Sequence, residues 1–339
     1  MMQPADHPPG APAFSVVVPA YEASAHLSDA LASLLGQVTC LPFEIIVVDD
    51  GSRDGSAAIA AAHEGVRVLR KENGGPASAR NVGVRAAASD IVLFLDADDI
   101  ALAGRLDRQA RFMISHPDVA VSFGNWLVEG EPEDYLARFG LIAEQDRFTH
   151  VDEPLSRLLA VGCFVPGSAS AVRRSAYLAA GGQPEDRRCA EDYALWCRLA
   201  GRGAAFACTG APFAWYRTRR EERLTLSPHT HAGLVATLCE AIAAYGAQLA
   251  PGQLTAAVQR RDAAINALLR HDWAYGGRAR VQARIAELGT ALPHRLRRKW
   301  LAIRFVPAAA ARAFRETRVR LRRRGCAPAA PLAAGTSRG

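Results

Sequence analysis

The first half of the chain alternates short apolar runs with segments in which apolar residues recur at helical spacing. Mostly apolar runs predict strands at residues 14–18, 43–48, 66–69 and 91–95. Helical spacing between these runs predicts helices at residues 25–36, 56–62 and 76–88. Strands that appear as nearly unbroken apolar runs between helices are typical of a parallel sheet covered on both faces. The pattern therefore predicts an α/β, doubly wound fold with a mostly parallel sheet flanked by helices.

Beyond residue 100 the pattern becomes mixed and then wholly helical. It predicts helices near residues 102–115, 174–180 and 191–200, and strands near 119–123, 169–172, 204–208 and 213–217. An acidic stretch at 129–153 is either an exposed loop or a variable binding segment. The helical pattern begins at about residue 230. We therefore predict four parts: a mobile segment 1–12, an α/β domain 13–229, a helical extension 230–325 and a mobile tail 326–339.

Composition places the chain among globular proteins and locates its charge. Half of the 339 residues are hydrophobic and 22% are charged. No apolar run reaches the roughly 18 residues of a spanning helix, and the first residues lack the basic and apolar parts of a signal peptide. Seven scattered cysteines without a C-x-x-C pair favour a reducing compartment. We therefore expect a cytoplasmic protein.

The net charge of +7 belongs to one segment near the end of the chain. Residues 295–324 contain 12 Lys and Arg against one acidic residue, and the remainder has 29 basic and 33 acidic residues. Leu296, Trp300 and Ile303 share a helical face among these basic residues. This pattern predicts a basic amphipathic segment that rests on the inner face of an anionic membrane, with Trp300 as anchor. A solvated helix or an acidic protein partner remains the alternative, and no nucleic-acid-binding module accompanies the charge.

Two acidic clusters follow predicted strands. Asp49 and Asp50 come after the second strand, and Asp96, Asp98 and Asp99 come after the fourth. In an open α/β sheet, ligands bind beyond the carboxyl ends of the strands. Neighbouring carboxylates repel one another, and a divalent cation relieves that repulsion. The alternative is ordinary turn or helix-capping chemistry.

A glycine-rich segment, Asn-Gly-Gly-Pro-Ala-Ser-Ala-Arg-Asn, occupies residues 73–81. Gly74 permits a close backbone approach, and the helix that opens at Pro76 offers N–H groups and a positive dipole end. Arg80, one turn further along, would add a charge-assisted contact. The segment therefore predicts a phosphate site, although a glycine turn before a proline-initiated helix gives the same pattern.

Taken in order, these motifs resemble the family 2 glycosyltransferases of the GT-A fold. The resemblance rests on Val-Val-Val-Pro-Ala-Tyr-Glu (16–22), Ile-Val-Val-Asp-Asp-Gly-Ser (46–52), the glycine segment and Phe-Leu-Asp-Ala-Asp-Asp (94–99). It continues through Gly181-Gly182, Glu191-Asp192 and Tyr216-Arg217. It covers residues 13–227, about two-thirds of the chain. The family usually has Asn at the position of Glu22 and Phe at the position of Gln183.

The resemblance implies a role for each matching residue. The residues it places against the nucleotide-sugar donor are Pro19, Ala20, Tyr21, Glu22, Asp50, Gly74, Arg80, Asp96, Ala97 and Arg217. Asp98 would be the ligand of a Mg²⁺ or Mn²⁺ ion in the D-x-D motif. Asp192 would be the catalytic base, and Glu191 and Trp196 would lie on the acceptor side.

The implied activity is inverting, metal-dependent sugar transfer. The donor would be a nucleotide-diphosphate sugar, and the acceptor a glycan or lipid-linked hydroxyl in cell-surface polysaccharide synthesis. A sugar nucleotidyltransferase shares an α/β sheet and acidic metal ligands, but its glycine-rich loop normally follows the first strand, where this chain has Pro19-Ala20-Tyr21-Glu22. A non-catalytic sugar-nucleotide-binding module is the third possibility, which intact Asp98 and Asp192 disfavour.

Overall fold

The structure, a computed structural model, describes residues 11–128, 135–141, 143–217 and 228–301, without the side chains at 228, 229, 275 and 276. It forms two compact units, one that ends at Arg261 and one that begins at Asp262. Residues 129–134 and 142 of the acidic stretch, and residues 302–324 of the basic segment, lie outside the described residues.

The predicted alternation of strands and helices is present in the first unit. The strands are β1 (Phe14–Ala20), β2 (Phe43–Asp49), β3 (Val66–Arg70) and β4 (Ile91–Phe94). The helices between them are α1 (Leu27–Leu35), α2 (Ser56–Ala61) and α3 (Pro76–Ala86). β1 continues through Pro19, which the sequence pattern placed at its end, and Pro19 lies in register with Val48. Apart from the half-buried Pro19 and Phe43, the apolar side chains of β1, β2 and β4 are almost fully buried, as the apolar runs predict.

The second part of this unit completes the sheet. It contains β5 (Ile100–Ala101), α4 (Arg105–Ser115), β6 (Val119–Val128), β7 (Thr149–His150), α5 (Pro154–Ala160), β8 (Ser170–Arg173), α6 (Arg174–Ala179), α7 (Glu191–Gly201) and β9 (Ala205–Tyr216). The strand order is β3-β2-β1-β4-β8-β6-β9-β5, and β7 pairs with β9. Neighbours from β3 to β4 are parallel, as are β6 and β9, whereas β8 is antiparallel to both β4 and β6. The predicted α/β class with a central, mostly parallel sheet is confirmed.

Three details differ from the sequence-based expectation. The two strands expected near 204–208 and 213–217 are one strand, β9, whose pairing with β6 shifts register near Phe123 and Asn125. The two-residue strands β5 and β7 were not predicted, because so short a strand has no periodicity. Helix α5, also missed, begins directly after the acidic stretch 129–153.

The helical pattern after residue 230 is also present. Helix α8 spans Pro228–Tyr245, and α9 spans Pro251–Leu288 with a non-helical residue at Gly277. Helix α10 spans His294–Leu301. Within the second unit, Trp300 is only 7% exposed, and its indole N–H donates to Asn266 Oδ1 at 3.1 Å. The structure therefore buries the ring of Trp300, whereas the sequence pattern predicted an exposed ring that anchors the chain in a membrane. Among the described residues, no helix is long and apolar enough to cross a membrane.

Candidate functional site

The residues predicted to bind ligand lie where β1, β2 and β4 end. These strands are parallel neighbours, so their carboxyl ends meet at one edge of the sheet. The backbone N–H of Asp50 donates to the carbonyl of Ala20 at 2.8 Å, which joins the first two strand ends. Leu95 donates in the same way to Val17 at 3.2 Å, just before the Asp96–Asp99 turn. The topology thus brings the two acidic clusters to one edge.

The turn after β1 exposes one aromatic ring. Tyr21 is 55% exposed, whereas Ala20 beside it is buried. Glu22 has φ = 49°, a left-handed conformation that Asn adopts more readily than Glu. Its carboxylate accepts a hydrogen bond from the backbone N–H of Arg53 at 2.8 Å. The left-handed backbone at this position explains why the family usually has Asn there. Glu22, with its longer side chain, reaches the neighbouring loop at Arg53.

The carboxylate of Asp50 is committed to the glycine segment. It accepts backbone hydrogen bonds from Gly74 at 3.0 Å and from Gly75 at 2.7 Å, and the Lys71 ammonium lies 2.6 Å from Oδ1. The side chain is almost fully buried. Two of the N–H groups that the sequence suggested for a phosphate are therefore bonded to Asp50. This contact sets the conformation of the loop that opens α3.

Arg80, one turn into α3, connects the two distant acidic motifs. Its Nη2 donates to Asp96 Oδ1 at 2.6 Å, and its Nη1 donates to Glu191 Oε1 at 3.1 Å. The guanidinium is buried. Burial alone would lower the pKa of Arg80, but the charges of Asp96 and Glu191 outweigh it and raise the pKa above its ordinary value. Arg80 therefore remains charged and holds the D-x-D motif beside the Glu-Asp motif.

Two residues that the motif analysis did not assign orient Arg80. Gln183 Oε1 accepts a hydrogen bond from Arg80 Nη1 at 3.4 Å, and Gln183 is itself held by Asn81. The Asn81 amide donates to the carbonyl of Gln183 at 2.8 Å, and its Oδ1 accepts the backbone N–H of Gln183 at 3.0 Å. The departure from the family's usual Phe thus supplies a polar contact. In the sequence, only the position of Asn81 directly after Arg80 indicated that Asn81 belongs to the site.

The Asp96–Asp99 turn concentrates negative charge. Asp98 is exposed and Asp99 is fully buried. Desolvation and the charge of Asp96 raise the pKa of Asp98, and the same causes raise the pKa of Asp99 well above its ordinary value. The backbone N–H of Asp96 donates to Ser168 Oγ at 3.1 Å, and Ala97 between the two aspartates is buried. The turn therefore presents Asp98 outward from a cluster that a positive ion would stabilise.

These carboxylates fit a divalent metal ion that takes some of its ligands from the protein and the others from a substrate. One oxygen of Asp99, Oδ2, is buried without a hydrogen-bond partner. Within the described ranges, no group of three or more His, Cys, Asp or Glu side chains could hold a metal ion alone. Mg²⁺ is commonly bound through one or two carboxylates together with substrate phosphates. The residues present are compatible with that kind of site.

Arg217, at the end of β9, lies next to the acidic turn but is bonded elsewhere. Its backbone N–H donates to Asp99 Oδ1 at 3.3 Å. Its guanidinium contacts His26 Nδ1 at 3.0 Å and Asp29 Oδ2 at 2.7 Å. The backbone of Arg217 therefore contacts the acidic turn, while its guanidinium forms an ion pair with Asp29 of α1.

Glu191 and Asp192 occupy the first turn of α7, where a negative charge is favourable. Burial and the neighbouring Asp192 raise the pKa of Glu191 to about 7. Burial also raises the pKa of Asp192, and the charge of Arg80 acts in the opposite direction. Glu191 reaches Arg80 directly, and the charges of Arg80 and Asp96 also act on Asp192, so Asp192 lies near both. Trp196, in contrast, is 1% exposed, so its ring lies in the core and not on the cleft surface.

Comparison with other sequences finds a family model and several relatives that are similar to the first part of the chain. Residues 15–178 match the family model described as Glycosyl transferase family 2. An uncharacterized glycosyltransferase of Haemophilus influenzae is 34% identical over 120 residues, which are 34% of this chain and 47% of that protein. Glycosyltransferase GlyG of Streptococcus pneumoniae is 37% identical over 117 residues, or 33% of this chain and 38% of that protein. The chain thus spans less than half the length of these relatives.

Solved structures share the fold over most of the chain. A crystal structure of Staphylococcus aureus TarS 1–349 in complex with UDP-GlcNAc has a TM-score of 0.65 at 19% identity and covers 91% of both chains. The mannosyltransferase PcManGT of Pyrobaculum calidifontis, in complex with GDP-Man and Mn²⁺, has a TM-score of 0.56 at 21% identity and covers 90% of this chain and 87% of its own. At these identities the likeness establishes the fold.

Proposed function

We propose that the chain is an inverting glycosyltransferase of family 2, because residues 15–178 match the model of that family and the fold is that of solved glycosyltransferases. It would move a sugar from a nucleotide-diphosphate donor to an acceptor hydroxyl. The observation that carries the proposal is Arg80, which pairs with Asp96 of one motif and Glu191 of another. Arg80 therefore holds carboxylates from two distant parts of the chain close together, which supports a site at which two substrates meet.

The donor would lie along the ends of β1, β2 and β4. Tyr21 presents an exposed ring on which a base can stack, and Pro19 and Ala20 precede it at the end of β1. Asp50 would contribute mainly by holding Gly74 and the glycine segment in place. The complexes of TarS with UDP-GlcNAc and of PcManGT with GDP-Man support a nucleotide-diphosphate sugar as the donor class.

Asp98 would hold a Mg²⁺ or Mn²⁺ ion together with the donor diphosphate. Its exposed carboxylate and the repulsion from Asp96 support this role. The presence of Mn²⁺ in the PcManGT complex supports a divalent metal in this fold. When bound, such an ion stabilises the negative charge that develops on the departing diphosphate.

Asp192 would act as the general base. In a single in-line displacement, its carboxylate takes the proton of the acceptor hydroxyl while that oxygen attacks the anomeric carbon. The bond to the nucleoside diphosphate breaks as the new bond forms, so the configuration inverts. Arg80 holds Asp96 and Glu191 in fixed positions during this step. The raised pKa of Asp192 makes it a stronger base than an ordinary aspartate.

We propose a glycan or lipid-linked acceptor, as in cell-surface polysaccharide synthesis, that approaches from the side of Glu191. Trp196 is not part of that proposed surface, because it is buried. Contact with an anionic membrane through residues 295–324 is a further part of the proposal. Of that segment the structure describes residues 295–301, in which Arg298 and Lys299 are exposed.

A donor screen tests the proposal. Thermal shift with a panel of nucleotide sugars, with and without Mn²⁺, identifies the donor, because a bound ligand stabilises the folded state. Release of the nucleoside diphosphate is then measured with and without candidate acceptors. Turnover of a nucleoside triphosphate and a sugar 1-phosphate, with release of pyrophosphate, would instead identify a nucleotidyltransferase. Donor binding without any turnover would identify a binding module.

A further inference from the structure

The Glu-Asp motif begins at a backbone position that needs external support. Ala190, which precedes Glu191, has φ = 62°, and no side chain caps α7 at this point. A left-handed conformation is strained for a non-glycine residue, and it persists only where the surroundings enforce it. Because Ala190 sets the direction in which α7 starts, whatever holds Ala190 also sets the positions of Glu191 and Asp192.

Helix α8 supplies this support. The hydroxyl of Thr237 donates to the carbonyl of Ala190 at 3.3 Å, and the same carbonyl accepts the backbone N–H of Ala194 at 3.0 Å. Thr237 is 1% exposed. Arg187, in the loop before α7, donates to Thr237 Oγ1 at 3.2 Å and to Glu240 Oε1 at 2.5 Å. Thr237 is thus bonded on one side to the start of α7 and on the other to the loop that leads into it.

Close packing brings α8 near enough for these contacts. A Cβ at Gly233, one turn before Thr237, would lie 2.2 Å from the carbonyl oxygen of Cys189, so only glycine fits there. At the other end of α7, a Cβ at Gly201 would lie 2.4 Å from the ring of Tyr245 on α8. Both ends of α7 therefore rest against one helix. Helix α8 lies outside residues 15–178, the part of the chain that matches the family model.

We propose that Thr237 is a positioning residue for the reaction and that α8 holds the proposed catalytic carboxylates in register with Arg80. This inference rests on the proposed function and extends it to a residue that touches neither substrate. Loss of the Thr237 hydroxyl leaves the carbonyl of Ala190 with one bond fewer and releases Arg187 toward Glu240. The first turn of α7 then moves relative to Arg80, and Asp192 no longer meets the acceptor hydroxyl in the reactive geometry.

The test is Thr237→Val, which removes the hydroxyl and keeps the shape. Because small displacements of a catalytic group reduce rate strongly, we expect kcat to fall about tenfold or more while the donor KM stays within about twofold. Thr237→Ser should restore kcat, since it keeps the hydroxyl. Thr255→Val is the matched control, because Thr255 is exposed on α9 and bonds only the carbonyl of Pro251 among the contacts described. Equal kcat values for Thr237→Val and Thr255→Val would overturn the proposal.

Hydrogen exchange provides a readout that does not require turnover. The amide of Ala194 bonds the carbonyl of Ala190, so its exchange reports the first turn of α7. We expect faster exchange in Thr237→Val than in Thr255→Val. If Thr237→Val does not fold, the milder Glu240→Gln, which weakens the hold on Arg187 from a half-exposed position, should accelerate the same exchange. Unchanged exchange would overturn the inference, whereas a wild type that transfers no sugar would overturn the proposed function alone.

Discussion

The guanidinium of Arg80 lies 2.6 Å from Oδ1 of Asp96, and this pair joins the helix after the glycine segment to the turn after β4. Both partners are largely shielded from water, so the attraction between them is only weakly screened. A second guanidinium nitrogen, Nη1, lies 3.1 Å from Oε1 of Glu191. Removal of the Arg80 charge would leave Asp96 and Glu191 without their common partner, which is more costly than the loss of an exposed pair.

Substitution of Arg80 by Lys should therefore impair transfer more than it impairs folding. Lys keeps the charge but cannot donate in two fixed directions, so Asp96 and Glu191 lose their common partner. We expect kcat/KM to fall by about 100-fold, as is usual when a group that positions reacting residues is displaced. Arg85→Lys, at an exposed position on the same helix, is the control and should behave like wild type. Steady-state kinetics with the identified donor measures kcat/KM. Equal values for Arg80→Lys and Arg85→Lys would contradict the positioning role of Arg80.

Substitution of Asp192 by Asn should remove transfer while leaving donor binding intact. The amide cannot accept the acceptor proton, and loss of a general base typically reduces the rate by about 10²–10⁴-fold. Calorimetry measures donor affinity in parallel with turnover. Asp118→Asn, at an exposed position, serves as the control. Retained turnover in Asp192→Asn would exclude Asp192 as the base.

Substitution of Asp98 by Asn should remove the metal-dependent part of nucleotide binding. In wild type, we expect Mn²⁺ to increase the thermal stabilisation by a nucleoside diphosphate, because bound ligand stabilises by mass action. In Asp98→Asn the nucleotide shift should be the same with Mn²⁺ as with a chelator. Asp146→Asn, exposed on the surface, should keep the metal effect. A metal effect of equal size in both variants would place the ion elsewhere.

Because the pKa of Glu191 is raised, we expect the free energy of unfolding to decrease as the pH rises. Its pKa is raised from the ordinary 4.5 to about 7, so between these values the folded state holds a proton that the unfolded state has released. The stabilisation by that proton is complete below the unfolded pKa and is lost as the pH rises through the folded pKa. We expect Tm to fall more steeply between about pH 5 and about pH 8 in wild type than in Glu191→Gln. Glu64→Gln, at an exposed position, should follow wild type; parallel curves for all three proteins would contradict the assignment.

The basic segment can be tested at Arg298 and Lys299, two of its exposed basic residues in the described part of the chain. Each basic residue near an anionic membrane contributes about 1 kcal/mol, so the double substitution Arg298→Gln with Lys299→Gln should weaken binding by about 30-fold. Co-sedimentation with vesicles that contain phosphatidylserine measures this, and neutral vesicles give the background. Arg188→Gln with Arg202→Gln removes two exposed charges elsewhere and should have no effect. Equal binding by both double variants would show that Arg298 and Lys299 do not contribute to membrane contact.

The sequence by itself determined the alternation of strands and helices and the positions at which acidic residues follow strands. Those features are local: burial on both faces requires apolar runs, and the carboxyl ends of parallel strands meet at one edge. Asp50 and Asp96 could therefore be assigned to one edge before any coordinates were known. Even the family resemblance depends on the order of such local motifs.

Only the tertiary structure decided which side chains pair. Arg80 and Glu191 are 111 residues apart, and nothing in either local pattern indicates their contact. The same holds for the Asp50 carboxylate, which bonds the glycine segment, for the burial of Trp196 and Trp300, and for Thr237 beside Ala190. Spacing along one strand or helix gives the face on which a residue lies. The partner it meets depends on how distant elements pack, because hydrogen bonds and ion pairs act over only a few ångströms.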